Sequence, residues 1–328
     1  MKRLVDALRR RPVDRTPVWI MRQAGRYLPE YRDLRSRHSF QEAVATPAVA
    51  AEITLQPIRR FGMDGAVIFA DIMTPLEAMG VDMTFDPGPK LEPHTLRQVI
   101  ELPALDPGRV EFIAETIRRV RAKVDEDVAV IGFAGAPTTL LAYLVEGGGS
   151  KDFMRLRTAV RADPGAARDA LDSLGRSMHA YLALQIEAGA DVVQLFDTWA
   201  GLFDRSTYSD LCVPAARASL TGQAGPAIYF APGAGHTLDL QAAIGADGYG
   251  VDWRVPLDEA WDRLGEVAIQ GNLDPAVLRT DPETIRSVTS EVLAAAGGRP
   301  GHIMNLGHGI DRHTPVENVA AFVGAVRS

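Results

Sequence analysis

Two arginines, Arg22 and Arg26, stand four residues apart in the run RQAGR, directly after a short apolar stretch. Two planar guanidinium forks at that spacing can each grip a carboxylate or phosphate bidentately, which implies an acidic ligand; surface salt bridging in an arginine-rich segment is the competing role. Asp71 closes a second apolar run, GAVIFAD. A carboxyl there is partly shielded from water and needs hydrogen-bond donors or a cation nearby; ionised, it can stabilise a cationic intermediate. Its competing role is to cap the helix that TPLEAMG suggests. His308 sits in NLGHG, where flanking glycines let backbone approach a ligand closely, although a structural hydrogen bond would explain the histidine equally well. Tyr143 follows GFAGAPTTLLA and precedes GGGS at 147–150, which reads as a mobile edge, with aromatic packing on its helix as the alternative. Thr198 offers one hydroxyl at a strand end, or simple β propensity.

Absences narrow the chemistry. The four lysines, Lys2, Lys90, Lys123 and Lys151, all miss the ends of the apolar runs, so Schiff-base and pyridoxal phosphate chemistry lack a nucleophile. Neither HxH nor HExxH occurs, and Asp71 with His308 falls short of the three protein ligands usual for catalytic zinc, so no metal site is assigned. Cys212 is the single cysteine, which removes internal disulfides and CxxC pairs; amid a helical stretch it reads as core. His179, His302 and His313 read as structural or surface residues.

Short apolar runs bounded by Gly, Pro, Asp or Asn supply the elements that must position these groups. Eight are expected as strands, at 17–21, 65–71, 128–136, 190–198, 226–232, 248–253, 266–272 and 302–309. Most are apolar throughout, as in a parallel sheet covered on both faces. Helical segments fill the gaps. Leu171, Leu174, Met178, Leu182 and Ile186 make one stripe ended by Gly189; Asp281 and Pro282 open a helix to about Ala296; Thr314, Pro315 and Glu317 read as a capping box before the last helix. Strand-then-helix repeated eight times argues an α/β fold, a single (β/α)8 TIM barrel over residues 1–328 with its site at the C-terminal ends of the strands. A doubly wound sheet is the runner-up, but neither GxGxxG nor GxxxxGK[ST] occurs. The barrel places polar residues as its mouth requires: Arg22 and Arg26 after the first strand, Asp71, Tyr143, Asp197 and Thr198, then His236, Asp252, Asn272, Asp274, Asn305 and His308.

The 328 residues, 46% hydrophobic and 23% charged, have the composition of a globular chain and carry a net charge of −7. Residues 1–37 hold eleven basic and four acidic side chains, so a basic segment sits on an acidic protein. Range decides between them. Salt confines the global field to about 8 Å, whereas one arginine about 4 Å from a carboxylate contributes roughly 4 kcal/mol at an effective dielectric of about 20. The arginine bias reads as codon composition, so no nucleic-acid partner is expected. The N-terminus lacks the apolar run of a signal peptide and no stretch reaches a membrane span, so no membrane partner and a cytoplasmic location are expected.

PVWIMRQAGRYLPEYR and GFAGAPTTLLAYLVEGGGS resemble the two signature segments of the uroporphyrinogen decarboxylase family. FADIMTP, LFDTWAG, IQGNLDP and NLGHG extend the resemblance over nearly the whole chain in family order. It implies a cofactor-free decarboxylase, a homodimer, that removes CO2 from the four acetate side chains of uroporphyrinogen III to give coproporphyrinogen III. It further implies that Asp71 accepts the four pyrrole N–H groups and stabilises the positive charge of a protonated pyrrole. The RQAGR loop, Arg22, Gln23, Ala24, Gly25 and Arg26, would bind substrate carboxylates, with Arg22 also a candidate proton donor. Tyr143, Thr198 and His308 match substrate-binding positions; the family often has serine where Thr198 stands. A corrinoid-linked methyltransferase of the same superfamily is the competitor, and it needs histidine and cysteine ligands for zinc where this chain has one cysteine. A catalytically dead tetrapyrrole-binding barrel would lack Asp71.

Overall fold

In the computed structural model, which describes residues 1–85 and 88–328, the apolar runs form seven parallel strands of one curled sheet in the order β1-β4-β5-β6-β7-β8-β9. They are β1 (Gly65–Val67), β4 (Ala129–Gly135), β5 (Val192–Phe196), β6 (Ala227–Phe230), β7 (Gly248–Gly250), β8 (Ala268–Gln270) and β9 (His302–Ile303). Every one falls inside a run expected as a strand, and each is shorter than its run. A separate antiparallel pair, β2 (Thr84–Phe85) with β3 (Pro89–Lys90), has no counterpart in the sequence reading.

The first expected strand, 17–21, forms a single parallel bridge, Val18 with Met304. The Met304 N–H donates to Pro17 O at 2.8 Å and the Asp64 N–H to Val18 O at 2.9 Å, so this segment lies between the β9 and β1 edges. Its own donors explain why it is not a regular strand. Pro17 has none, the Val18 N–H goes to an Asp64 carboxylate oxygen at 2.9 Å, and the Ile20 N–H goes to Gln23 Oε1 at 3.0 Å. Side chains replace the ladder.

Alternation along the strands divides the apolar side chains between two cores. On β4, Ala129, Ile131 and Phe133 face an inner cluster with Trp19, Val192, Ile228, Phe230 and Ile303. Val130 and Ala134 face the outer cluster beneath the helices, with Val193 and Leu195 of β5. Both faces are covered, which is why the runs carry no polar alternation. The expected stripe is buried on the helix Pro164–Glu187 at Leu171, Leu174, Met178 and Leu182, with Gly189 just beyond at φ +111°. Gln185 of that helix bonds both the N–H and C=O of Phe133, at 2.9 Å each, tying the helix to the sheet.

Asp281 caps Pro282–Ala296 as expected, accepting from Glu283 and Thr284. The expected capping box at Thr314 does not form: the last helix is Val316–Arg327 with Pro315 at its N-cap, and the buried Thr314 hydroxyl has no partner among the described residues. The Thr314 N–H, which Glu317 would bind in such a box, donates instead to Asp311 O at 3.1 Å. Nor is GGGS a free edge. Gly147 ends the helix Pro137–Glu146 in left-handed backbone, and Gly148 pairs with Lys90. No helix among the described residues is long and apolar enough to cross a membrane.

Candidate active site

The RQAGR loop leaves residue 21 through an unusual backbone state: Arg22 has φ +65°. For a residue with a side chain that conformation costs about 1–3 kcal/mol and persists only where neighbours over-determine it. Gln23 does so here. Fully buried, it accepts from the Ile20 N–H and donates from Nε2 to Gly65 O at 2.8 Å, and its own N–H donates to Ile20 O at 3.0 Å. Gln23 therefore fixes the loop to β1, with its backbone N–H, one amide hydrogen and its amide oxygen engaged within the protein. Arg32 clamps the far side by donating to the carbonyls of Arg26 and Tyr27, at 2.9 and 3.0 Å. What the loop presents outward is the N–H groups of Ala24, Gly25 and Arg26, which donate to no described residue, and two exposed guanidinium groups. Neither Arg22 nor Arg26 forms an ion pair among the described residues, so surface salt bridging does not account for them.

Asp71 follows β1 by four residues and is half-buried. Its Oδ1 accepts the Met73 N–H at 2.8 Å and its C=O the Thr74 N–H at 3.2 Å, at the start of the helix Thr74–Ala78. Asp71 does not cap that helix, whose N-cap is Met73 with no side-chain cap bond; it holds the turn ahead of it, and Oδ2 keeps no partner among the described residues. Burial pushes the carboxyl above the usual range, the Met73 N–H and the Arg22 charge oppose that rise, and Glu77 adds to it. A carboxylate costly to ionise in the free protein gains most from positive charge arriving beside it.

His308 is set by the two glycines of NLGHG. A Cβ at Gly307 would strike the backbone of Trp253, and one at Gly309 would overlap the Arg22 side chain. The imidazole consequently lies between Arg22 on one side and Trp253 on the other, the two rings edge to face at 6.4 Å. Burial lowers the proton affinity of His308 first; Arg22 and Arg254 lower it further, and Asp252 works against them.

Tyr143 and Thr198 form the remaining wall, both half-buried. Tyr143, on the helix Pro137–Glu146, meets Trp199 edge to face at 6.2 Å, and its hydroxyl is held protonated by burial and by the Asp71 charge, with Arg22 opposing. Packing and site exposure coexist there as well. The turn bearing Thr198 is pinned by Asp197, whose fully buried carboxylate accepts from Thr139 Oγ1 and Tyr229 Oη at 2.9 Å each. Tyr208 Oη stands 3.0 Å from Tyr229 Oη, and Thr139 Oγ1 accepts the Trp199 N–H at 3.2 Å. Burial raises the Asp197 carboxyl to about 6.

Arg22, whose side chain lies against Gly309, is the charge that acts on Asp71, Tyr143 and His308 alike, whereas most of the other residues expected at the mouth are engaged within the framework. Asp252 accepts from the N–H groups of Gly233 and Arg254, Asn272 donates to Asp252 O and Val255 O, Asp274 caps a short helix, Asn305 accepts from Met21, and His236 bonds Phe203 O. His302 bonds Gly271 O inside the protein and Cys212 is buried, as read from sequence. Among the described residues no three His, Cys, Asp or Glu side chains gather as metal ligands. Sequence reasoning missed Trp199 and the pair Trp253–Arg254; an aromatic next to each strand-end aspartate, DTW and DWR, was the available signal.

A family model described as uroporphyrinogen decarboxylase matches residues 1–328, every segment that builds this mouth. The chain belongs to the uroporphyrinogen decarboxylase family. It is 45% identical to the uroporphyrinogen decarboxylase of Chloroflexus aggregans over 99% of this chain and 95% of that one. With that of Alkalilimnicola ehrlichii the identity is 44%, over 99% and 93%. Among solved structures, a methyltransferase from Methanosarcina mazei superposes with a TM-score of 0.84 at 22% identity, covering 99% of this chain and 97% of that one. That likeness speaks to the fold alone; at twice the identity, the decarboxylases carry the family.

Proposed function

We infer that this carboxy-lyase removes CO2 from the four acetate side chains of uroporphyrinogen III, giving coproporphyrinogen III without a cofactor. The carrying observation is Asp71, a half-buried carboxyl with one oxygen unpartnered among the described residues and under the charge of Arg22, which forms no ion pair among them. The substrate bears eight carboxylates for the rim and four pyrrole N–H groups that converge on one anion. Arg22, Arg26 and the free amides of Ala24, Gly25 and Arg26 hold peripheral carboxylates. Asp71 accepts the inner N–H groups. When a pyrrole carbon beside an acetate takes a proton, the ring becomes cationic and Asp71 stabilises it. The electron pair of the C–CO2 bond then flows into the ring, CO2 departs, and protonation of the exocyclic carbon with loss of the ring proton leaves a methyl group.

Arg22 remains the candidate proton donor because its charge reaches Asp71, Tyr143 and His308 alike. Tyr143, Thr198 and His308 orient the macrocycle. The reading includes a barrel closed by residues 17–20 between the β9 and β1 edges, supported by the hydrogen bonds of Val18, Met304 and Asp64. A single domain over residues 1–328, a homodimer and a cytoplasmic setting complete it, in line with the family. Anaerobic incubation with uroporphyrinogen III, followed by chromatography of the oxidised porphyrins, tests it. A ladder from seven to four carboxylates is expected, and its absence overturns the assignment.

A further inference from the structure

A third arginine, outside the RQAGR loop, stands on the tryptophan that packs against His308. Arg254 follows β7 by four residues, with its guanidinium carbon 3.9 Å from the centre of the Trp253 ring. Trp253 in turn meets His308 edge to face, and Gly307 lets the NLGHG turn lie directly on the Trp253 backbone. Arg254 is close enough to His308 to lower its proton affinity together with Arg22. Both cations therefore act on one imidazole.

The Arg254 side chain is held in place with most of its donors free among the described residues. Its Nη1 lies 3.3 Å from Asp252 Oδ1, but that carboxylate already accepts the backbone N–H groups of Arg254 and Gly233. Of the guanidinium's five N–H donors the remainder are uncommitted among the described residues, and the side chain is 57% exposed. It opens on a cavity of about 420 Å³ between the loops after β6 and β7. Also on that cavity, Arg263 is engaged by Gly235 O at 2.5 Å, by Glu259 at 3.4 Å and by Asp239 at 3.5 Å, and His236 by Phe203 O, whereas Arg254 has the single ion pair to Asp252. Stacking on an indole restricts an arginine without using its in-plane donors, which is the arrangement suited to bidentate capture of a carboxylate.

We propose that Arg254 is a substrate-binding residue of this site, taking a peripheral carboxylate of the macrocycle that Arg22 and Arg26 do not hold. The proposal rests on the tetrapyrrole reading above. Its test is the affinity of Arg254→Gln for uroporphyrin, the oxidised octacarboxylate, read by fluorescence at two salt concentrations, with steady-state decarboxylation in parallel. Removing one charged hydrogen-bonding partner is expected to weaken binding about tenfold, to flatten the salt dependence, and to place the kinetic loss in KM rather than kcat. An affinity and salt slope within twofold of the unaltered protein would overturn the proposal. If the unaltered protein binds the porphyrin without decarboxylating uroporphyrinogen, the reaction assignment fails while Arg254 is still judged on affinity. If it does not bind at all, both readings fall.

Discussion

At the residue scale the site depends on how one carboxyl is charged. Because burial raises Asp71, it takes up a proton at higher pH than an ordinary aspartate. Protonated, it can neither accept the inner N–H groups nor offset the cation. The acid limb of kcat/KM is therefore expected above the usual carboxylate value of about 4, and activity undiminished down to that pH would contradict the role. Thr198 is the position where this chain carries an extra methyl. Its hydroxyl remains at the half-buried wall, so Thr198→Ser should change KM by less than about threefold, whereas Thr198→Ala, which removes the hydroxyl, should raise it further, as initial rates over a substrate series would reveal. Arg22, Arg26, Asp71 and His308 were readable because a polar residue closing an apolar run has few places to go. Gln23 was not, since a sequence does not say whether a side chain turns outward or back to the backbone, and here two hydrogen bonds turn it back.

At the element scale the catalytic wall is held by groups that never meet the mouth. Asp197 ties the 197–199 turn to the helix Pro137–Glu146 while fully buried, and burial lifts it from 3.8 to about 6. A raised folded value means the native state holds this proton more tightly than the unfolded chain. Its contribution is fully present below about pH 4 and is lost as pH rises to about 6, on the order of 3 kcal/mol. Asp197→Asn should remove that part of the pH dependence, measured as denaturant unfolding at pH 4 and 7; an unchanged profile would show that the proton is not held there. Gly307→Ala should destabilise the fold by roughly 1–3 kcal/mol in the same assay, since its Cβ meets backbone that cannot rotate away. Strand positions were legible from the apolar runs because both sheet faces are buried. Lengths were not, because each run continues past the sheet into the mouth. Residues 17–21 show the same limit, with Asp64 and Gln23 occupying the donors that a ladder would use.

At the scale of the whole molecule, a chain of net charge −7 recruits a polyanion. If the global field governed encounter, added salt would screen repulsion and speed the reaction. Local arginines predict the reverse: kcat/KM should fall as ionic strength rises from about 0.05 to 0.3 M, a range over which the screening length drops below the width of the mouth. The overall architecture could be expected from strand-then-helix repetition, but Trp253 and Arg254 meet His308 only through folding, and no spacing rule brings residues so far apart in the chain together. The account as a whole rests on Asp71 acting as the anion beneath a transient ring cation. The most direct measurement pairs single-turnover decarboxylation of uroporphyrinogen III with porphyrin affinity in Asp71→Asn, which preserves shape and removes charge. A rate loss of about 100-fold or more with affinity within threefold is expected; turnover near that of the unaltered protein would contradict the mechanism.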